Sequence, residues 1–210
     1  MAEKPILFNT EMVRAILDGR KTQTRRLVKN IPLHEPYFEV VDGMPYACDG
    51  EGEWHPAVEF SPIQEGDVLY VRETWADIPE TAPGNLHYRA DATQADLDWL
   101  REEGWKWRPS IHMPKEAARL FLRVTGVRCE RLRDITAMDA FNEGTGRLFL
   151  DDIAYGDKDY GCDVDDEYGL AREQFARLWE STLKKSDLDR YGWEANPWVW
   201  MIEFERCEKP

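Results

Sequence analysis

A chain of 210 residues is long enough for one sizeable domain with a real core. Its 42% hydrophobic and 12% aromatic content argue against wholesale disorder. Its net charge of −14 argues against a protein that coats nucleic acid non-specifically, because such binding depends on neutralising phosphates.

"KPILF" reads as a first strand, and "NTEMVRAILDGRK" as a helix with Met12, Val13, Ile16 and Leu17 on one face. Thr10 is its expected N-cap, and Gly19 stands where a helix would stop. "TQTRRLV" follows as a strand. Residues 30–65 read as an inserted hairpin and loop, with an Asp42-Gly43 turn inside "YFEVVDGMPYAC". "EGDVLYVRETWA" is expected to be one strand with Leu69, Val71, Glu73 and Trp75 on one side. "LHYRA" reads as a short strand and "TQADLDWLREEG" as a helix. "ARLFLRVTGVRCERLRDI" reads as one bent strand or two broken at Gly126, and "TAMDAFNEG" as a short helix capped by Thr136. From Asp151 to Glu167 eight acids and one lysine supply half the net charge, and a mobile loop is expected there. "LAREQFARLWESTL" should be an amphipathic helix burying Leu170, Phe175, Leu178 and Leu183 or their neighbours. "NPWVWMIEFERC" closes the chain as a strand with Trp198, Trp200, Ile202 and Phe204 on one side. This order of elements predicts an α+β protein on a small, partly closed β-barrel. It is read as a single domain over 1–210, with insertions at about 30–65 and 145–167.

No apolar run approaches the roughly 18–20 residues that span a bilayer. "MAEKPILFN" lacks a signal peptide's apolar stretch, so a soluble, cytoplasmic protein without membrane contact is expected. Cys48, Cys129, Cys162 and Cys207 lie far apart, and no ligand cluster suggests a metal or cofactor.

"GRKTQTRR", Gly19 to Arg26, concentrates four cations and two threonines in an acidic chain. It is either a solvated strand or the lining of a site. Lys21 and Thr24 would face one pocket only if a twist or bulge at the helix-to-strand junction offset the strand's alternation. A desolvated lysine can serve as a base and a hydroxyl as nucleophile. Glu73 and Glu143 are the candidate carboxylates, each alternatively a structural ion pair or a surface charge. Trp75 and Trp107 are candidate pocket walls, and His112 is the only chemical group in "RPSIHMP". Lys21→Ala is expected to abolish any activity and to leave the melting temperature nearly unchanged.

"ILDGRKTQTRR" resembles the N-terminal signature of ASCH-domain proteins, a branch of the PUA-like superfamily. "GDVLYVRETWA", "DITAMDAFNEG" and "NPWVWMIEF" resemble later blocks of a longer variant often encoded by phages and prophages. The resemblance implies a PUA-like barrel with flanking helices, located in the host cytoplasm if phage-encoded. Small bacterial proteins of this kind are amidohydrolases acting on N4-acetylcytidine, through a lysine, a threonine and a glutamate that match Lys21, Thr24 and Glu143. The resemblance thus implies a hydrolase of an amide-type bond on a modified nucleoside or short RNA; Arg26, Glu73, Trp75, Trp107 and His112, from the reading of the residues themselves, are the candidate substrate-binding residues. Weak or no binding to long nucleic acid is expected. The alternatives are a non-catalytic RNA- or nucleotide-binding module and a phage accessory protein that binds a host protein.

Overall fold

Helix α1, Thr10–Leu17, is capped one residue earlier than the sequence suggests: Asn9, not Thr10, is the N-cap, and its side chain accepts from Met12 N–H at 2.8 Å. The asparagine wins because its extended backbone (φ −76°, ψ 170°) aims the amide oxygen at the first free N–H groups. Gly19, at φ +74°, ends the helix in the left-handed region where only glycine is unstrained. In this computed structural model the described residues are 2–29, 31, 37–78, 86–145 and 164–210, the last stretch by backbone alone up to 169.

The described residues form an α+β protein with several sheets and flanking helices, divided into two compact units. The first comprises Met1–Gly19, Gly66–Arg123 and Glu205–Pro210. Within it β1 (Glu3–Leu7) runs parallel to β6 (Val68–Arg72), pairing Glu3 with Val68 through Leu7 with Arg72. β6 pairs antiparallel with the start of β9 (Phe121–Arg131). The expected single strand "EGDVLYVRETWA" is broken: β6 ends at Arg72, and β7 (Trp75–Asp77) pairs separately with β8 (Leu86–Tyr88). At the break the Glu73 N–H goes to Met113 Sδ instead of a strand carbonyl, and its carboxylate accepts from Arg119. Helix α2, Gln94–Glu102, carries a reciprocal capping box between Thr93 and Asp96. Val68, Trp75, Met113 and Phe121 make one core of this unit, and Ala76, Ile78 and Leu100 a smaller one.

The second unit comprises Arg20–Glu65 and Val124–Phe204. There β10 (Trp198–Cys207) lies between the later part of β9 and β2 (Gln23–Leu27). β10 and β2 are antiparallel, with Val199 opposite Leu27 and Glu203 opposite Gln23. β9 passes Gly126 unbroken. Glycine suits that position because a Cβ there would stand 2.9 Å from Glu203 Oε2. β3 (Phe38–Val41), β4 (Met44–Cys48) and β5 (Trp54–Pro56) form a meander, with positive φ at Asp42 and Gly43 in the expected turn. Trp198 to Ile202 are buried on both sides of β10, rather than on one.

Helices α3 (Ala137–Asn142), α4 (Val164–Ser181) and α5 (Leu188–Tyr191) complete this unit. The acidic stretch lies outside the described residues from 151 to 163, and from Val164 the backbone is already helical. α4 buries Ala171, Phe175 and Trp179, spaced four apart, against Leu132, Ile135, Ala140 and Val199, with Leu183 half-buried beside them. Phe175 and Leu183 are as expected, and Ala171 and Trp179 take the buried places of their neighbours Leu170 and Leu178, which are half-buried.

Candidate active site

Alternation along the strand decides which cations meet. Gln23 and Arg25 share one face of β2, and Lys21, two residues before Gln23, joins them. Facing them is α3, short and capped by a reciprocal box between Thr136 and Asp139. On α3, Asp139 and Glu143 are four apart and lie on one side. Glu143 is the C-cap (φ −73°, ψ −7°), and Gly144 beyond it turns at φ +92°. That stop aims both the carboxylate and the carbonyl of Glu143 at Lys21, and the two residues form an isolated antiparallel bridge.

The Lys21 ammonium is fully enclosed, its side chain 0% exposed, and Glu143 is 3% exposed. Nζ donates to Glu143 Oε2 at 2.6 Å, to the Glu143 carbonyl at 2.9 Å and to the Gln23 carbonyl at 2.9 Å. Three N–H bonds thus have three acceptors. Burial lowers the proton affinity of Lys21 below that of an ordinary lysine. The Glu143 carboxylate opposes the shift, and the charges of Arg26 and Arg25 reinforce it.

Arg25, missed in the sequence, is the hub of the cluster. Its Nη1 donates to Glu143 Oε1 at 3.1 Å and its Nε to Glu130 Oε1 at 2.8 Å. Nη2 lies 2.7 Å from Glu130 Oε1 and 3.4 Å from Asp139 Oδ2, near enough for charge attraction although neither oxygen lies along its N–H bonds. The guanidinium also sits 5.7 Å from the Phe175 ring centre. Gln23 Nε2 donates to the carbonyl and to Oδ1 of Asp139, at 2.8 and 3.1 Å. Arg128, half-exposed, ties Glu130 to Glu203 and reaches toward Asp139. Burial pushes the Asp139 carboxyl up, but bonds from Gln23 and Thr136 outweigh it and leave it below the usual range. The signal was present as cations and amide at 21, 23 and 25 and acids at 139 and 143.

Thr24 is buried on the opposite face of β2 from Arg25, its backbone opposite Ile202. Among the described residues its hydroxyl makes no hydrogen bond to Lys21 or Glu143. The structure therefore brings Lys21 and Glu143 together and leaves Thr24 beside them on the other face. Arg26 is half-buried. Burial lowers its proton affinity, opposed by Glu143. Beside it lies a cavity of about 280 Å³ lined by Arg25, Arg26, Leu27, Lys29, Trp179 and Leu183. Arg25 thus touches both Glu143 and this cavity.

Glu73, Trp75, Trp107 and His112 belong to the first unit. Glu73 holds Arg119 with both oxygens, at 2.9 and 3.2 Å, and Arg119 also pairs with Asp91 and lies 4.0 Å from the Tyr88 ring centre. Burial raises the Glu73 carboxyl, against the pull of Arg119. The ion pair offered as its alternative reading is present. Trp75 is core, with the Arg108 guanidinium 5.0 Å from its ring centre. Trp107 is half-buried, and His112 is exposed on a single 3-10 turn, Ser110–His112. Among the described residues no three His, Cys, Asp or Glu side chains are grouped to hold a metal ion. No described helix is long and apolar enough to cross a membrane. Compared with known proteins, the chain matches no family model, no curated protein and no solved structure.

Proposed function

We propose that the protein is a hydrolase that cleaves an amide-type bond on a modified nucleoside or base of the N4-acylcytidine type, with Lys21, Thr24 and Glu143 as its catalytic set on a PUA-like, partly closed barrel. The observation that carries this reading is the 2.6 Å contact between Lys21 Nζ and Glu143 Oε2, two buried groups, with the proton affinity of the lysine lowered by burial. The neighbouring cavity, with Arg26, Lys29 and Trp179 on its walls, supplies cationic and aromatic surface for a polar, planar substrate.

In the reaction, Lys21 in its neutral form takes a proton from a water molecule, or from the Thr24 hydroxyl, as the oxygen adds to the acyl carbon. Glu143, held by Arg25, carries the compensating charge. Proton return to the exocyclic nitrogen breaks the C–N bond and leaves a carboxylic acid and the free amine of the base. The place of Thr24 on the opposite face of β2 from Arg25 favours water as nucleophile. Each of the three Lys21 donors has an acceptor, so turnover exchanges one of those bonds for the substrate or its water.

The test is incubation with a panel of N-acylated nucleosides, followed chromatographically for loss of the acyl group. Glu143→Gln, which keeps the shape and removes the charge, should lower the rate about 10²–10⁴-fold. Acyl groups untouched across the panel would end the hydrolase reading. A second reading, a nucleotide-binding module without chemistry, is favoured by the same saturation and zero exposure of the Lys21 ammonium. It expects binding of the nucleoside with no product.

A further inference from the structure

A second cavity, of about 440 Å³, lies wholly within the first unit where α2 ends. Its volume falls in the range of small-molecule sites, roughly 300–1,000 Å³. Gly104, at φ +76°, reverses the chain after α2 and returns Trp105 and Trp107 alongside Leu100. The last carbonyls of the helix are consumed in that reversal: Trp99, Leu100 and Arg101 accept from Glu103, Trp105 and Gly104 N–H. They therefore present little unsatisfied negative charge to the cavity.

Three cations line it, Arg89, Arg101 and Lys106, together with both tryptophans, and among the described residues no carboxylate does. Arg101 shares its charge with Asp98 at 3.3 Å. Among the described residues neither Arg89 nor Lys106 forms an ion pair. In a chain with 41 acids and 27 cations, unbalanced cations gathered on one aromatic cavity are against the grain of the composition. The two indoles are half-buried, anchored on Ala76, Ile78 and Leu100, which leaves part of each free to receive another flat ring.

We propose that this cavity binds a nucleotide, its base stacked on Trp105 or Trp107 and its phosphate held by Arg89, Arg101 and Lys106. Every base offers a π-face to an indole, and phosphate accepts from guanidinium and ammonium donors. The ligand comes either as a free mononucleotide or as one residue of a short single strand. The inference stands apart from the hydrolase reading, which uses the second unit.

Isothermal titration of the full chain at low salt, with adenosine monophosphate, adenosine, inorganic phosphate and a short oligothymidylate, tests it. The monophosphate should bind, and adenosine and phosphate should each bind more weakly. Tighter binding of the oligonucleotide identifies a strand as the source, and equal or weaker binding identifies a free nucleotide. Trp107→Ala should weaken binding roughly 5- to 150-fold, the loss of one stacked base. If that variant fails to fold, Arg89→Glu and Lys106→Glu, both at exposed positions, carry the test: together they should abolish binding while deacylation, where present, is unchanged. Arg26→Ala should leave this binding as it is. Adenosine monophosphate giving no heat at millimolar concentration, phosphate binding as well as the nucleotide, or the double charge reversal binding like wild type would each overturn the proposal.

Discussion

Lys21 is a buried ion rather than a surface base, and that changes what its removal costs. The expectation that Lys21→Ala leaves the melting temperature unchanged rests on exposure, whereas the ammonium is enclosed and triply bonded. Alanine would leave Glu143 buried with Arg25 as its remaining cation partner, and breaking a buried pair this way costs about 3–5 kcal/mol. The melting temperature should fall by roughly 6–20 °C for a chain of this size. A shift under 2 °C by calorimetry would show that the pair carries no such weight. The proton affinity of Lys21 makes a second prediction. Because its folded-state value lies below the ordinary 10.5, the folded protein binds fewer protons than the unfolded chain between the two values. The contribution of Lys21 to stability is therefore complete above pH 10.5 and is lost as the pH falls through the folded value. Urea unfolding of wild type and Lys21→Met should show a difference that grows in favour of wild type as pH rises toward 10.5, and a flat difference from pH 8 upward contradicts this. Cys129 is a third case. Burial, reinforced by Glu130, pushes its thiol up to about 12, so it stays protonated at neutral pH and reacts poorly. Mass spectrometry after brief maleimide treatment at pH 7.5 should find Cys48 modified well before Cys129; equal labelling would contradict it.

Among the elements, α3 does the most for the site with the fewest residues. Six residues make a helix too short to stand alone, so its capping box matters. Thr136→Ala removes the bond accepted from Asp139 N–H and should cost about 1 kcal/mol. Since Asp139 and Glu143 ride on this helix, amide exchange at 140–144 should quicken more than in β10. Uniform protection in the variant would mean that Arg25 and Lys21 hold α3 without its cap. The same scale explains which elements were legible. The stops at Gly19, the turn at Asp42-Gly43 and the Thr136 cap are written in one to four adjacent residues, and the structure has them there. The break after β6 was not legible, because the groups that Glu73 bonds there, Met113 and Arg119, lie 40 and 46 residues away in sequence. Nor was the Asn9 cap, a choice between adjacent residues decided by backbone angles.

For the whole molecule, charge sets the expectation. A net charge of −14 repels polyphosphate, and the cations of the second unit at 21 and 25 are spent on Glu143, Glu130 and Asp139. Long, unmodified RNA should bind with a dissociation constant weaker than micromolar at roughly physiological ionic strength, measured by filter binding. Submicromolar binding would favour a nucleic-acid-binding module over a hydrolase. The sequence by itself determined the class of the fold, the positions of most strands and helices, and the stretch where cations gather, because periodicity and caps act within a few residues. Only the tertiary structure decided which cations became buried partners of which acids. Lys21 meets Glu143 across 122 residues and Arg25 meets Glu130 across 105, and no local pattern encodes such a pairing. It follows instead from strand register and from where a short helix stops, since a buried charge survives only where the fold delivers its counterion within bonding distance.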